Sequence, residues 1–400
     1  MSLGKEAQGI MMKENRPLPT FFVLIWGAYF CSYALLWMSS LSANGNVKTA
    51  VTLIQLATMA ALAVYIVSRR VSLWHLLFLC LVAAVELKVQ NRDLLLFVLF
   101  AYAAKDIDFR RFVRVDLILR SVMLAVILGG CALGLIKNVT GYYHHTYKEA
   151  WGFRHPNTYA TYVFIIVAEV FLLAGTAMRL WRYAVAVFAV ILVMPVTHSR
   201  TSLICLLAAV LCFFLNRIFP AFMRSRPVKW LLAISPALLL SISVLLTEMY
   251  IRKNPLAFKI SKMLSGRIYL QSYYWKRYPV NLFGRRMAEA LTTERVLDSG
   301  YIRCLLQNGL IFTIFLCVAY ALVILWAYRM RQYEIAFFAV FFIIYGFMEA
   351  SFLRVGFNIS LLLFLKPEIW RFRRIPEKVM ALPPGLRRVE PAGASSRTAS

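Results

Sequence analysis

Charge is scarce in this chain. Asp, Glu, Lys and Arg make up only 16% of its 400 residues, where a soluble domain carries about a quarter, and that excludes a soluble enzyme. The seven cysteines are odd in number, lie in or beside apolar stretches and contain no CxxC pair, so neither a disulfide framework nor a zinc site is encoded. The 45 Lys and Arg outnumber 18 acids, yet no basic tail or aromatic-basic stripe gathers them, which excludes a nucleic-acid partner. There is also no internal repeat of the transporter kind.

Apolar residues fill the space instead, at 61% of the chain with a mean hydropathy of +0.68. Runs near 20 residues mark membrane spans, and about twelve appear: 20–38, 49–67, 72–87, 94–104, 117–136, 158–176, 183–197, 201–219, 230–247, 309–328, 333–350 and 352–365. The runs at 94–104 and 352–365 are short for a bilayer crossing. The expected fold is an all-α integral membrane protein, with one polytopic domain over 20–378 between a cytoplasmic tail at 1–19 and a disordered cytoplasmic tail at 379–400. The first run is too long for a signal peptide and lacks a small-residue cleavage site, so it reads as a retained helix.

Counting Lys and Arg in the short loops with the N-terminus inside gives 22 on the inner side against 8 on the outer. That asymmetry predicts an even number of spans with both termini cytoplasmic. Two long loops, 137–157 and 248–308, then fall outside. The second, between spans 9 and 10, holds eleven basic residues against four acids (Glu248, Glu289, Glu294 and Asp298). A basic, aromatic loop beside the membrane suits an anionic, sugar-bearing ligand.

Four of the five histidines, His144, His145, His155 and His198, map to the outer face, and only His75 to the inner. The outer four lack the spacing and the acidic ligand of a zinc site, so no metal is expected. At His155-Pro-Asn-Thr158, Pro156 fits a first helical turn and Asn157 or Thr158 a cap. The segment reads either as a capped helix start or as a polar pocket with Tyr159 and Tyr162 below it. His198-Ser-Arg-Thr-Ser202 is a polar knot too short for an ordinary loop. Arg200 either snorkels to lipid phosphate or forks onto a pyrophosphate.

Between Ser265 and Tyr278, an aromatic segment places Tyr269 and Tyr273 on one helix face and Tyr274 and Tyr278 on another. It reads as an interfacial helix, and also as sugar-stacking platforms with Arg267 as a second clamp. Asp298 is the only aspartate in either long outer loop, hence a candidate general base, although Asp before an apolar run is also a usual helix cap. Glu169 and Glu349 are intramembrane acids of the kind a proton-coupled carrier uses. Asp106-Ile-Asp108 spells a DxD, which its juxtamembrane basic surroundings mark as chance.

Four stretches together, GFRHPNTYATY (152–162), THSRTSL (197–203), SGRIYL (265–270) with NLFGRR (281–286), and DSGYIRCLLQNGL (298–310), resemble the Wzy-type polysaccharide polymerases of the O-antigen ligase/polymerase superfamily. The nearest in character are the capsule and exopolysaccharide polymerases of Gram-positive bacteria. The resemblance covers 150–310, and the spans before 137 share only hydropathy. It implies a GT-C-like membrane glycosyltransferase of the bacterial cytoplasmic membrane that takes undecaprenyl-pyrophosphate-linked glycans as donor and acceptor. No cofactor or metal is implied; membrane lipid, a flippase and a chain-length regulator would be partners.

The resemblance further implies that Arg200 and Arg267 hold the pyrophosphate and that Asp298 deprotonates the acceptor hydroxyl. His155, Asn157, Tyr159, His198, Tyr269, Tyr273 and Tyr301 would contact substrate. Many polymerases carry Asp-Asn where this chain has Asp298-Ser299, which leaves open what the second side chain bonds. An O-antigen ligase-like transferase and a proton-coupled carrier or flippase are the alternative readings.

Overall fold

The structure, a computed structural model, describes residues 18–69, 73–90, 92–143, 146–175, 181–264, 266–287 and 297–370. The two expected tails (apart from residues 18 and 19), His144 and His145, Ser265, and Glu289 with Glu294 lie outside them. The chain is helical nearly throughout. Helix α1 (Thr20–Ser32) runs on through a π-helical stretch, Tyr33–Met38, and is followed by α2 (Gly45–Val67), α3 (Leu73–Val89), α4 (Arg92–Ala103) and α5 (Phe109–Ala132). An antiparallel hairpin, β1 (Thr140–Tyr143) and β2 (Thr146–Glu149), pairs Thr140 with Glu149 and leads into α6 (Pro156–Ala174), α7 (Trp181–Thr197), α8 (Arg200–Ile218) and α9 (Arg226–Ile251). Two short helices follow, α10 (Pro255–Met263) and α11 (Arg267–Arg277), then a helical turn α12 (Gly300–Arg303), and finally α13 (Leu310–Arg329) and α14 (Tyr333–Met348).

Seven of these helices are long and apolar enough to cross a membrane, and α7 and α14 are shorter apolar helices. Large aliphatic side chains stand exposed along them, among them Leu56, Ile118, Phe188, Leu207, Ile234 and Ile314. Exposed apolar surface on that extent of helix fits lipid and not water. The molecule is thus an all-α, multi-pass membrane-embedded protein, and the hairpin is the one named sheet among the described residues.

Helix starts follow local chemistry. Asn44 caps α2, Asp108 caps α5 by accepting from Arg111 N at 3.1 Å, and Asn254 caps α10. The second acid of the apparent DxD is therefore a helix cap, satisfying an N–H that would otherwise lack a partner. The centre of the bundle is α14, almost wholly buried and packed against α6, α8, α9 and α13.

The two shortest expected spans lie side by side. Helix α4 has twelve residues, about 18 Å at 1.5 Å per residue against roughly 30 Å of hydrocarbon. Residues 352–365, expected as a twelfth helix, instead form two 3-10 turns, Ala350–Leu353 and Ile359–Leu363, joined by irregular backbone along α4. At its start Arg354 pairs with Asp93 at the head of α4 (2.8 Å), and at its end the Lys366 ammonium donates to Ile107 O just beyond α4's tail.

Non-helical backbone at this depth requires internal partners, and the sequence supplies them. Asn358 Nδ2 donates to Phe352 O (2.9 Å) and to the Tyr320 hydroxyl (2.8 Å), Ser360 Oγ donates to Asn358 Oδ1 (2.5 Å), and Arg120 Nη2 donates to Gly356 O (2.9 Å).

Candidate active site

The long loop 248–308 is largely structured. Helix α9 extends to Ile251, α10 and α11 fold back against it, and a small apolar core of Tyr274, Met287, Leu297, Ile302 and Leu306 ties α11 to the segment before α13. Two of the motifs interlock there: Leu310 N donates to Asn281 O (2.9 Å) and Arg285 N to Gln307 O (2.9 Å). Gly284 (φ 72°) and Gly309 (φ 91°) sit against each other, and a Cβ on Gly309 would come within 2.3 Å of Gly284 N. Both the left-handed backbone and the close approach demand glycine.

Ser299 caps α12 by accepting from Ile302 N. The cap therefore belongs to the serine, and Asp298 turns its carboxylate to Arg267, with Nε 3.8 Å from Oδ2. Arg267 Nη2 donates to Glu349 Oε1 at 2.8 Å, and Nη1 donates to Met348 O. Two acids and one guanidinium thus meet where α14 ends and the backbone turns extended. Gly300 makes this possible, because a Cβ there would lie 2.7 Å from Glu349 O and 2.8 Å from Gly346 O. Burial first, and then the Glu349 charge, push the Asp298 carboxyl up to about 6 against the opposing pull of Arg267 and Arg303. Burial works against the Arg267 charge, but Glu349 and Asp298 outweigh it and raise its pKa.

His155 caps α6, its Nδ1 accepting from Asn157 N at 3.1 Å, so a neutral ring carries its proton on Nε2. Asn157 contributes its backbone N–H to that cap. Burial lowers the imidazole pKa; Glu349 pulls it back up, while Lys148, Arg154 and Arg267 push it further down. Lys148, from β2, is lowered by burial and then by Arg200 and Arg267. Arg200 stands exposed at the first position of α8. The α7–α8 connection is only two residues, with His198 in the left-handed region at φ 48°. Behind it, Ser202 bonds Thr161 (2.7 Å) and Ser199 (3.0 Å), locking α8 to α6.

The structure therefore joins Asp298 and Glu349 through Arg267, sets His155 and Lys148 within the same field, and places Arg200 in the field of Lys148. It does not bring every expected contact residue to that surface. Tyr301 is fully buried and donates its hydroxyl to Ile343 O at 3.0 Å, so it fixes α12 to α14 and offers nothing to a ligand. Tyr159 is buried and stacks on Phe153 (5.3 Å), a wall under His155. Tyr269 is exposed beside Tyr250, and the Tyr273 hydroxyl accepts from Arg277; both lie on α11, and Tyr274 of that helix stacks on Tyr278 just beyond its end. Arg267, expected as a free clamp, already has two of its five N–H donors engaged, by Glu349 and Met348. Glu349 itself drew notice in the sequence only as an intramembrane acid of the kind a proton-coupled carrier uses.

No protein-family model matches the chain, no curated protein matches it, and no solved structure matches it.

Proposed function

We propose that this protein polymerises polyprenyl-pyrophosphate-linked oligosaccharide repeats at the outer face of a bacterial cytoplasmic membrane. The observation that supports this reading best is the meeting of Asp298 and Glu349 at Arg267, near the partly buried Lys148 and the exposed Arg200. A general base works best with a pKa near the operating pH, and a carboxylate near 6 is mostly ionised at neutrality yet still basic. Asp298 takes the proton of the acceptor sugar hydroxyl. Arg200 and Lys148, with the remaining donors of Arg267, stabilise the diphosphate as it leaves; this is electrostatic catalysis by preorganised donors and requires no metal. The anomeric carbon exchanges its bond to the diphosphate for one to the acceptor oxygen, with inversion, and polyprenyl diphosphate departs. Glu349 holds Arg267 and, through it, Asp298. A ligase-like transferase would use the same groups.

Purified protein incubated with radiolabelled lipid-linked repeat will yield a ladder of products. Arg200→Ala and Asp298→Asn will each abolish it while the protein remains in the membrane. A wild-type ladder from Asp298→Asn removes the base assignment. Intact substrate moved across vesicles without a ladder favours instead a carrier, whose proton site would be Glu169, held with Asp116 on Arg120.

A further inference from the structure

A second group of cations lies beside the acids; its members bias Asp298 and His155 electrostatically but contact no reacting group in the chemistry above. The GFR stretch is stitched to the end of α1, with Ser40 N donating to Gly152 O (2.9 Å) and Arg154 N to Met38 O (2.8 Å). This lays the Arg154 guanidinium over the Trp37 ring, 4.3 Å from its centroid. Arg354, from the irregular segment after α14, lies over the same ring at 3.9 Å. Arg303, on α12, is held by Gln307 through a 2.9 Å bond from its Nε. The principal charges acting on Arg303 are Arg354, Asp93 and Asp298, whereas those acting on Lys148 are Arg200 and Arg267. The two cation groups adjoin at Asp298, which feels both Arg267 and Arg303, and at His155, which feels Lys148, Arg267 and Arg154.

Charge does not balance in this group. Asp93 pairs with Arg354 at 2.8 Å, but among the described residues no carboxylate forms an ion pair with Arg154 or Arg303. Like charges gathered in one region repel unless an anion offsets them. A second observation points the same way. The Tyr33 hydroxyl is buried without a hydrogen-bond partner among the described residues, its ring stacked on Trp37 at 4.9 Å and its oxygen within the fields of Arg354, Asp93 and Arg154. A buried hydroxyl without a partner is costly, and this one is a spare donor beside the guanidiniums of Arg354 and Arg154. Trp37 is only partly buried and Arg154 is exposed, so this group of residues can be reached from the surface.

We propose that Arg154, Arg303, Arg354 and the Tyr33 hydroxyl form a second oxyanion site that takes a phosphate group, distinct from the one built on Arg200 and Lys148. This rests on the polymerase reading, because a polymerase holds two diphosphate-linked glycans at once and a single diphosphate site leaves one of them unanchored. Forked guanidiniums are the side chains suited to phosphate oxygens. The same chemistry would accept the phosphate of an anionic lipid headgroup, and the test separates these sources.

The probe is radiolabelled farnesyl diphosphate, its binding to the detergent-purified full chain measured by equilibrium dialysis. Wild type will bind two per chain, and Arg154→Gln and Arg303→Gln one each. Arg200→Gln will also bind one, and Arg154→Gln combined with Arg200→Gln none. Arg154 is exposed, so its replacement leaves no buried hole and reports even where Arg303→Gln fails to fold. If phosphatidylglycerol nanodiscs remove the Arg154-dependent site and phosphatidylcholine nanodiscs do not, the occupant is a headgroup phosphate; if neither removes it, the occupant is the substrate diphosphate. Wild-type stoichiometry in Arg154→Gln overturns the site. The readout is binding, so a protein that makes no polymer yet binds two diphosphates fails the polymerase reading and keeps this one.

Discussion

At Asp298 two influences oppose each other: burial and Glu349 raise its proton affinity, and Arg267 and Arg303 lower it. The balance leaves the carboxyl near 6, so activity that needs the ionised form will fall as pH drops through about 6 and level off above it. Glu349→Gln removes the neighbouring negative charge and releases Arg267 to pair with Asp298 more closely. Both changes favour the carboxylate, so the acid limb of the pH–rate profile will shift downward by about one unit. An unmoved limb means that Glu349 acts on something other than Asp298. Asp298 stood out in the sequence as a solitary aspartate in a basic loop. Arg303 and Arg154 did not, because one arginine among 45 basic residues carries no signal until folding sets it beside another. Nor could the sequence assign the cap at α12 between Asp298 and Ser299, since both residue types cap helices and only the side-chain direction decides.

Helix starts and lengths were largely readable from hydropathy, as the runs at 20–38, 158–176 and 309–328 and the helices over them attest. Residues 352–365 were not. Their composition is apolar enough for a span, and their irregular path depends on partners from distant helices, Tyr320 and Arg120, that no local pattern announces. The juncture of α12 with α14 was equally hidden, for it rests on the absence of a side chain at Gly300. Gly300→Ala forces its Cβ against Glu349 O and Gly346 O. Overpacking of this kind costs about 1–3 kcal/mol, and here it moves Asp298 away from Arg267. The variant will reach the membrane, melt a few degrees lower in detergent and lose most of its polymer-forming activity. Unaltered activity would mean that the spacing of the two acids is not critical.

One ionic knot ties the first half of the molecule to the last. Arg120 Nε bonds Asp116 Oδ2 (2.6 Å) and Glu169 Oε1 (2.9 Å), Trp26 Nε1 donates to Asp116 Oδ1 (2.8 Å), and Arg120 Nη2 reaches Gly356 O (2.9 Å). Helices α1, α5 and α6 and the segment after α14 therefore share a single fully buried guanidinium. Removing one member of such a group strands the others and costs about 3–5 kcal/mol. Arg120→Met will thus lower the yield of monodisperse protein and its melting midpoint far more than Arg200→Ala, which touches only the exposed end of α8. Equal melting of the two variants would show the knot to be dispensable.

Helix α14 is enclosed on nearly every side, and Glu349 hangs from its last turn. In the proposed polymerase the floor of the site is therefore fixed, whichever glycan arrives. On that reading, recognition of particular sugars belongs to exposed aromatics such as Tyr142 on the hairpin and Tyr269 on α11. A polymerase built this way would change its diet by exchanging those aromatics while its reaction stayed the same.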